Sequence, residues 1–419
     1  MKKFTSVRVG FFLAYRQVIR GSLWTNTLII SVMFLTFLNL VVVSGILVGL
    51  IQGSSQESQL KYSGDIIISN LPTKNYIENS QRIMSTLETI PEIEAFTSRY
   101  LEGGTIQANY KEKTNNAERQ DEAGTQIAGI DPRKENLVTN ISGEMFEGEF
   151  LRSDEENFIV LGSSLLKEYA RGEAPGFDTL EKVRVGDKVR VKVGNSSKEF
   201  TIKGILKSKE GNLDRRAFII DRELRKLIGR SDFNVDEIAI KLKDIPGITA
   251  HGFKNSLQNL NFEEFATIQT YKEAQGQFLE DIAFTFGVLG NVIGSIGLAV
   301  ASITIFIIIF INAITRRKYI GILKGIGIQG IAIELSYVFQ SLFYAIIGTT
   351  LGVLVIYFFL IPYIDLNPID FPFSDGILYA PAEDTAIKAA ILLCTTMIAG
   401  YIPAKMIIRR NTLDAILGR

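Results

Sequence analysis

Four long apolar runs, nearly free of charge, constrain this chain more than any other feature of its sequence. A helix needs about 20 mostly apolar residues to cross the hydrocarbon core of a bilayer. No Asp, Glu, Lys or Arg occurs between Arg20 and Glu57, and Leu28 to Leu50 within that interval is almost wholly apolar. Two more charge-free stretches run from Ile282 to Thr315 and from Leu335 to Ile364. The fourth, Ala389 to Ala404, is shorter and carries Lys388 and Lys405 at its ends, where long lysine stems can snorkel to the interface. The first run is too long, and too far from the start, for a cleaved signal peptide, and no A-x-A site follows it. It reads as a permanent anchor. The expected spans are residues 27–51, 282–314, 333–361 and 387–408.

Basic residues set the expected orientation, because they accumulate on the cytoplasmic side. Lys2, Lys3, Arg8, Arg16 and Arg20 precede the first span, in an amphipathic segment over residues 1–26. Arg316, Arg317, Lys318 and Lys324 lie in the connector 315–332, and Lys405, Arg409, Arg410 and Arg419 lie at the end of the last span and in the tail 409–419. The loop 362–386 holds Asp365, Asp370, Asp375, Glu383 and Asp384, and no Lys or Arg. Both termini and the connector then face the cytoplasm, and residues 52–281 lie outside.

That outward segment reads as mixed α and β. Strands are expected around Ile66 to Ser69, at Phe158 to Gly162 and at Ala217 to Ile220. Residues 235–242 and 262–268 add strands that return the chain to the membrane. Phe96 to Ala108 suggests two strands about a Gly103-Gly104 turn. Val189 to Val193 alternates with period two and is answered by Glu199 to Leu206 across Gly194-Asn195-Ser196-Ser197, which predicts a hairpin. Helices are expected over Tyr76 to Leu87, over Ser163 to Ala170, and from a capping Asp221 to Leu227. Lys111 to Ala123 reads as a loop, and residues 150–160 suggest a division into two subdomains.

The chemistry available is narrow. The 419 residues include one cysteine, Cys394, and one histidine, His251, which reads as a loop residue. A His/Cys zinc site and a Ser-His-Asp triad are therefore close to excluded. The phosphate-cradling G-x-x-x-x-G-K-[ST] motif is absent, so the chain brings no P-loop ATPase of its own. Net charge is zero, which argues against nucleic acid. No acid or base lies deep in a span, which argues against an ion-driven transporter. Small residues recur on helical faces: Gly45 and Gly49 in the first span, Gly287, Gly290, Gly294 and Gly297 in the second, Gly348 and Gly352 in the third. They fit either close packing within the chain or a moving or dimeric interface.

Thr315 to Gly327 is the most informative segment. Alone it reads as a basic amphipathic helix on anionic lipid. Its ordered string Ile320-Gly321-Ile322-Leu323-Lys324, with Gly327, resembles the E-I-G-I-L-[KR]-A-[LIM]-G segment of the MacB/LolC/FtsX-type (type VII) ABC transporter permeases. Tyr319 stands where that family has Glu, and Gly325 where it has Ala. Gln340 to Gly352 is similar to the third span of the LolC/LolE branch. Pro403-Ala404 with Thr412 to Leu417 resembles the family's terminal P-A-x-x-A-…-P-x-E-A-L motif, with Thr412-Leu413 in place of Asp-Pro. Leu161-Gly162 and Val185 to Val189 resemble its extracytoplasmic domain, and residues 105–125 and 171–181 look like insertions.

The resemblance implies a membrane protein of four transmembrane α-helices, one plus three, with a MacB-like periplasmic α+β domain inserted between the first and second. It implies no enzyme activity and no cofactor in this chain. ATP and Mg would belong to a separate ABC ATPase docking on Arg317, Lys318, Ile320, Gly321, Ile322, Leu323, Lys324 and Gly327. A second permease subunit, identical or paralogous, is the other implied partner, with a lipoprotein or periplasmic adaptor outside and membrane lipid around the spans. The expected setting is the bacterial cytoplasmic membrane, and the leading function is lipoprotein release. The alternatives are a MacB-like efflux component, an FtsX-like regulator of a cell-wall hydrolase, and, least favoured, a membrane-anchored enzyme.

Overall fold

The computed structural model describes residues 2–110, 121–170, 178–371, 374–376 and 378–408. Residues 111–120, expected to form a loop, most of 171–181 and the terminal motif beyond residue 408 fall outside them. Two compact units emerge. One gathers residues 1–51 with most of 281–419, and the other is essentially 52–280.

The first unit is helical. It holds α1 (Lys2–Ile19) and most of α2 (Leu23–Ser58), which passes into a π-helical turn over Gln59–Ser63 that belongs to the second unit. The second unit continues with β1 (Ile66–Asn70), α3 (Ser80–Leu87), β2 (Ile93–Gln107), β3 (Glu122–Ile130) and α4 (Pro132–Thr139). Next come β4 (Met145–Gly148), β5 (Phe158–Gly162), β6 (Lys188–Val193), β7 (Ser196–Leu206), α5 (Gly211–Asp214), β8 (Arg216–Ile220) and α6 (Asp221–Ile228). It closes with β9 (Glu237–Leu242), α7 (Ala250–Asn259), β10 (Ala266–Thr270) and α8 (Tyr271–Ala274). The chain then forms α9 (Gly276–Thr315), the connector helix α10 (Arg317–Gly325), α11 (Gly330–Val355), a π-helical turn over Ile356–Leu360, α12 (Ile361–Leu366) and α13 (Ala382–Ile408).

Four helices among the described residues are long and apolar enough to cross a membrane: Leu23–Ser63, Asp281–Thr315, Gly330–Leu366 and Ala382–Ile408. This is a membrane protein with one such helix before the α+β domain and three after it. The π-helical turn in the third has a local cause. Pro362 offers no N–H and crowds the carbonyl four residues earlier, so the helix widens there rather than breaking. Met33, Phe37, Val41, Ala301, Ile305, Ile309, Tyr337 and Ala345 form the centre of the bundle. The Lys388 ammonium donates to Ser44 Oγ at 3.0 Å and so ties the last long helix to the first.

The α+β unit is built on one ten-stranded sheet, in the order β10-β1-β9-β2-β3-β8-β5-β7-β4, with β6 pairing both β2 and β7. That last pairing closes a ring: β2, β3, β8, β5, β7, β6 and back to β2. Strand residues alternate between two buried faces. Ile66, Ile68, Ile159, Leu161, Ala217 and Ile219 enter one core, while Ile67, Val160 and Phe218 enter the other. Each such side chain contributes roughly 1.5–3 kcal/mol when fully buried.

Several expectations change here. Gly103-Gly104 makes no turn; β2 runs straight through both as a 15-residue strand. A Cβ on Gly104 would stand 2.5 Å from Ile127 Cδ1 and 2.8 Å from the Lys192 carbonyl, so glycine serves ring closure against β6. The sheet crosses residues 150–160 without a division, since β5 pairs both β7 and β8. Ser163 to Ala170 forms only a short 3-10 turn over Ser163–Leu165, because the Leu165 carbonyl accepts from Leu180 N–H instead. Helix α3 starts at Ser80, later than expected, and α6 starts at Asp221 itself, with Ile220 at its cap. His251 lies in the first turn of α7, exposed. The β6–β7 hairpin forms with a tighter turn than expected, Gly194-Asn195, where Gly194 takes φ +55°.

The closure at Gly104 is testable. Gly104→Val forces either β6 or Ile127 to give way and should cost about 1–3 kcal/mol. The readout is the urea midpoint of the detergent-solubilised full chain, followed by a probe in the α+β unit.

Candidate functional site: the connector helix and the stems of the α+β unit

The connector α10 has two faces, and its sequence decides which is which. Ile320 and Gly321 are buried, and Leu323 packs on the same apolar cluster of the bundle. On the other side Lys318 is exposed with Tyr319 (69 %), Ile322 (46 %) and Ile326 (71 %). Residues 318, 322 and 326 recur at i, i+4 and i+8, so they share one stripe. Gly327, at φ +91°, ends the helix in left-handed backbone that favours glycine.

The residues expected to share this docking role therefore separate. Lys318 and Ile322 face outward, whereas Ile320, Gly321 and Leu323 hold the helix in place. Lys324 departs from expectation. Its ammonium donates to the Ile408 carbonyl at the end of α13. A helix C-terminus carries partial negative charge and unsatisfied carbonyls, so a lysine there is favourable. Arg317 is half-buried. Tyr319 and Ile326 join the outward stripe without having been singled out; two bulky apolar side chains flanking a basic residue on a short connector were the available signal.

The small-residue faces are largely spent on packing within the chain. A Cβ on Gly290 would lie 3.2 Å from Ser44 Cα, and one on Gly297 would lie 2.8 Å from Asn39 Oδ1. A Cβ on Gly294 would lie 3.5 Å from Leu40, one on Gly348 would lie 2.5 Å from Met33 Cβ, and one on Gly352 would run into the Phe37 ring. The second and third long helices thus pack on the first. A Cβ on Gly45 would lie 2.9 Å from the Tyr379 carbonyl, Gly49 is buried, and Gly287 has open space beside it.

The stems of the α+β unit, by which the chain enters and leaves it, are built differently. The entering stem carries Tyr62, whose ring lies beside two guanidiniums, with Arg99 Cζ 4.7 Å and Arg216 Cζ 4.9 Å from its centroid. Its hydroxyl donates to Glu237 Oε1 at 2.6 Å, and its carbonyl accepts from Arg99 Nη2 at 2.6 Å. Arg99 is 1 % exposed and also pairs with Glu135 at 2.6 Å and Glu237 at 3.3 Å. Next to Tyr62, Lys61 pairs with Glu144 at 2.7 Å. The two arginines and two glutamates balance, as buried charges must. The departing stem has a capping box, Thr270 with Glu273, and then Gly276 at φ +76° with nothing near its Cβ position. The stems meet through Ser55 Oγ donating to Gln275 Oε1 at 2.8 Å.

Burial pushes the Glu237 carboxyl up, but Arg216, Arg99 and the Tyr62 hydroxyl outweigh it and hold the group below the ordinary glutamate value. Its contribution to stability is therefore present above about pH 4.3 and is lost as pH falls through the lowered folded value. Glu237→Gln leaves two buried guanidiniums short of a partner and should cost about 3–5 kcal/mol at neutral pH. The gap between variant and wild type should narrow below about pH 4; unfolding midpoints of the full chain against pH measure it.

Residues 291–412 match the FtsX-like permease C-terminal family, which takes in the greater part of α9, the connector and the last two long helices. An uncharacterised ABC transporter permease of Methanocaldococcus jannaschii is 26 % identical over 231 residues, covering 53 % of this chain and 54 % of that protein. The macrolide export ATP-binding/permease protein MacB of Bdellovibrio bacteriovorus is 25 % identical over 250 residues, covering 55 % of this chain and 35 % of that protein. The chain thus spans about half or less of these relatives. Among solved structures, the periplasmic region of MacB from Actinobacillus actinomycetemcomitans matches 52 % of this chain and 94 % of its own, at 14 % identity and a TM-score of 0.35. Residues 291–412 of this membrane protein are thus similar to the FtsX-like permease C-terminal domain.

Proposed function

We propose that the chain is the permease subunit of an ABC transporter of the FtsX/MacB type. A separate ATPase docks on the outward stripe of α10, and its motion passes along the spans to the α+β domain. The observation that carries this reading is the division of α10. Its inner face, Ile320 and Gly321, is buried, while Lys318, Tyr319, Ile322 and Ile326 leave a basic and apolar face uncovered. The FtsX-like match over the same segment supports it.

In this reading α10 and both termini lie in the cytoplasm, residues 52–281 lie outside, and the membrane is the bacterial cytoplasmic membrane. ATP and Mg bind the partner. A second permease subunit, identical or paralogous, completes the assembly, and its contact surface lies outside the glycines already covered by α2. Gly287 and the exposed Val292, Ile296, Val300 and Ile303 of α9 are available to it or to lipid. For the task outside we favour lipoprotein release, on the similarity of Gln340 to Gly352 to the LolC/LolE branch; mass spectrometry of lipoproteins retained by an ATPase-arrested complex tests it.

The docking surface has its own test. Lys318→Glu combined with Ile322→Asp should lower stimulation of the partner ATPase at least tenfold while the yield of folded protein stays the same. Unchanged stimulation would sink the proposal. Lys324→Glu should behave differently: it repels the C-terminal end of α13 and lowers thermal stability.

A further inference from the structure

The two stems differ in how firmly they hold the α+β unit, and that difference bears on how a stroke would reach it. The entering helix extends from Leu23 to Ser63 and carries Tyr62 in its last, π-helical turn. There the backbone is fixed at once from several elements. Arg99 on β2 donates to the Tyr62 carbonyl, Glu237 on β9 accepts its hydroxyl, and the Arg216 guanidinium on β8 lies 4.9 Å from its ring centroid. Glu135 on α4 holds Arg99 in turn through both carboxylate oxygens. Just beyond, Asp65 N–H donates to the Ile240 carbonyl at 2.8 Å, and Asp65 Oδ2 accepts from Leu242 N–H at 2.7 Å. Gln59 Nε2 reaches Asp65 Oδ1 at 2.7 Å and links the last helical turn to the strand.

The departing stem lacks such a node. Tyr271 to Ala274 contains no buried residue, its Lys254–Glu273 pair is only half-buried, and Gly276 is exposed in a backbone conformation that other residues rarely adopt. A buried, charge-paired node resists displacement because any shift leaves a desolvated charge without its partner. An exposed glycine between two helices resists little.

We infer that Tyr62, held by Arg99, Arg216 and Glu237, is the positioning site through which the first span drives the sheet, and that Gly276 lets the second span follow by turning. The inference rests on the permease reading for the source of the stroke, but the stiffness of the node does not depend on it. Tyr62 acts through its neighbours and touches no cargo in this account.

The test uses the full chain in lipid nanodiscs. Hydrogen exchange comes first and needs no partner. Tyr62→Leu should speed exchange of the amides at 59–65 tenfold or more and leave those of β3 and β8 at wild-type rates. Tyr62→Phe, which keeps the ring beside the guanidiniums, should give a smaller change. Gly276→Asn, which tolerates the left-handed backbone, should leave residues 59–65 unaltered. Wild-type exchange at 59–65 in Tyr62→Leu overturns the inference, and if that variant does not fold, the same comparison with Tyr62→Phe decides.

The second arm adds the co-purifying ATPase. Spin labels at Leu28 and Gln126, in a Cys394→Ser background, report the nucleotide-dependent change in distance. Tyr62→Leu should keep ATPase stimulation yet lose at least half of that change, an uncoupling that simple loss of stability would not produce. A full wild-type change in Tyr62→Leu overturns the inference. Absence of stimulation in the wild type would instead strike the permease reading, and the exchange arm would still decide on the node.

Discussion

Everything in the α+β unit follows from one backbone pairing, that of β1 with β10. The unit is an insertion between two membrane-crossing helices, so a long excursion must return the chain to the point at which it left. Antiparallel pairing of Ile66 with Thr270, continued to Asn70 with Ala266, fixes that return. The ends of the insertion become neighbours at one edge of the sheet, and the remaining strands extend away from them through β9 and β2. Closing so long a loop costs entropy that rises only slowly with length, and the ladder bonds and the two cores offset it. The closed ring of strands lies farther along the same sheet.

The bundle meets a different constraint. In hydrocarbon the backbone must satisfy its own hydrogen bonds, so only unbroken helices serve, and their association rests on close packing. The glycines that face α2 provide that packing. Widening at Pro362 shows the same rule under strain, since the helix changes its pitch there and continues.

This contrast explains what could be read from the sequence. The long helices were legible because the solvent imposes a requirement that composition alone reveals. The β6–β7 hairpin was legible because one face alternates and Gly194 supplies the turn. Gly103-Gly104 was misread because glycine signals a turn and a close approach equally well, and only the position of β6 distinguishes them. In the connector, the sequence separated Ile320 and Gly321 from Lys318 only once burial was known, and it could not show that Lys324 serves α13. The Tyr62 node was invisible for a related reason. Arg99, Glu135, Arg216 and Glu237 are scattered over four elements, and each alone reads as a solvated surface charge. Their mutual burial depends on the three-dimensional order of β2, β8 and β9.

Lys388 also speaks to the order in which the membrane helices are assembled. A lysine near the start of a short apolar helix is a poor candidate for insertion on its own, at a cost of about 2.5–3.5 kcal/mol if it reaches the bilayer centre. Its hydrogen-bond partner is Ser44 on α2, and Thr396 of the same helix lies against Met33 of α2. During synthesis α2 enters the bilayer long before α13 leaves the ribosome. The last helix therefore arrives to find a polar acceptor already in place, and its partition into lipid becomes a docking event onto the first rather than an independent transfer from water.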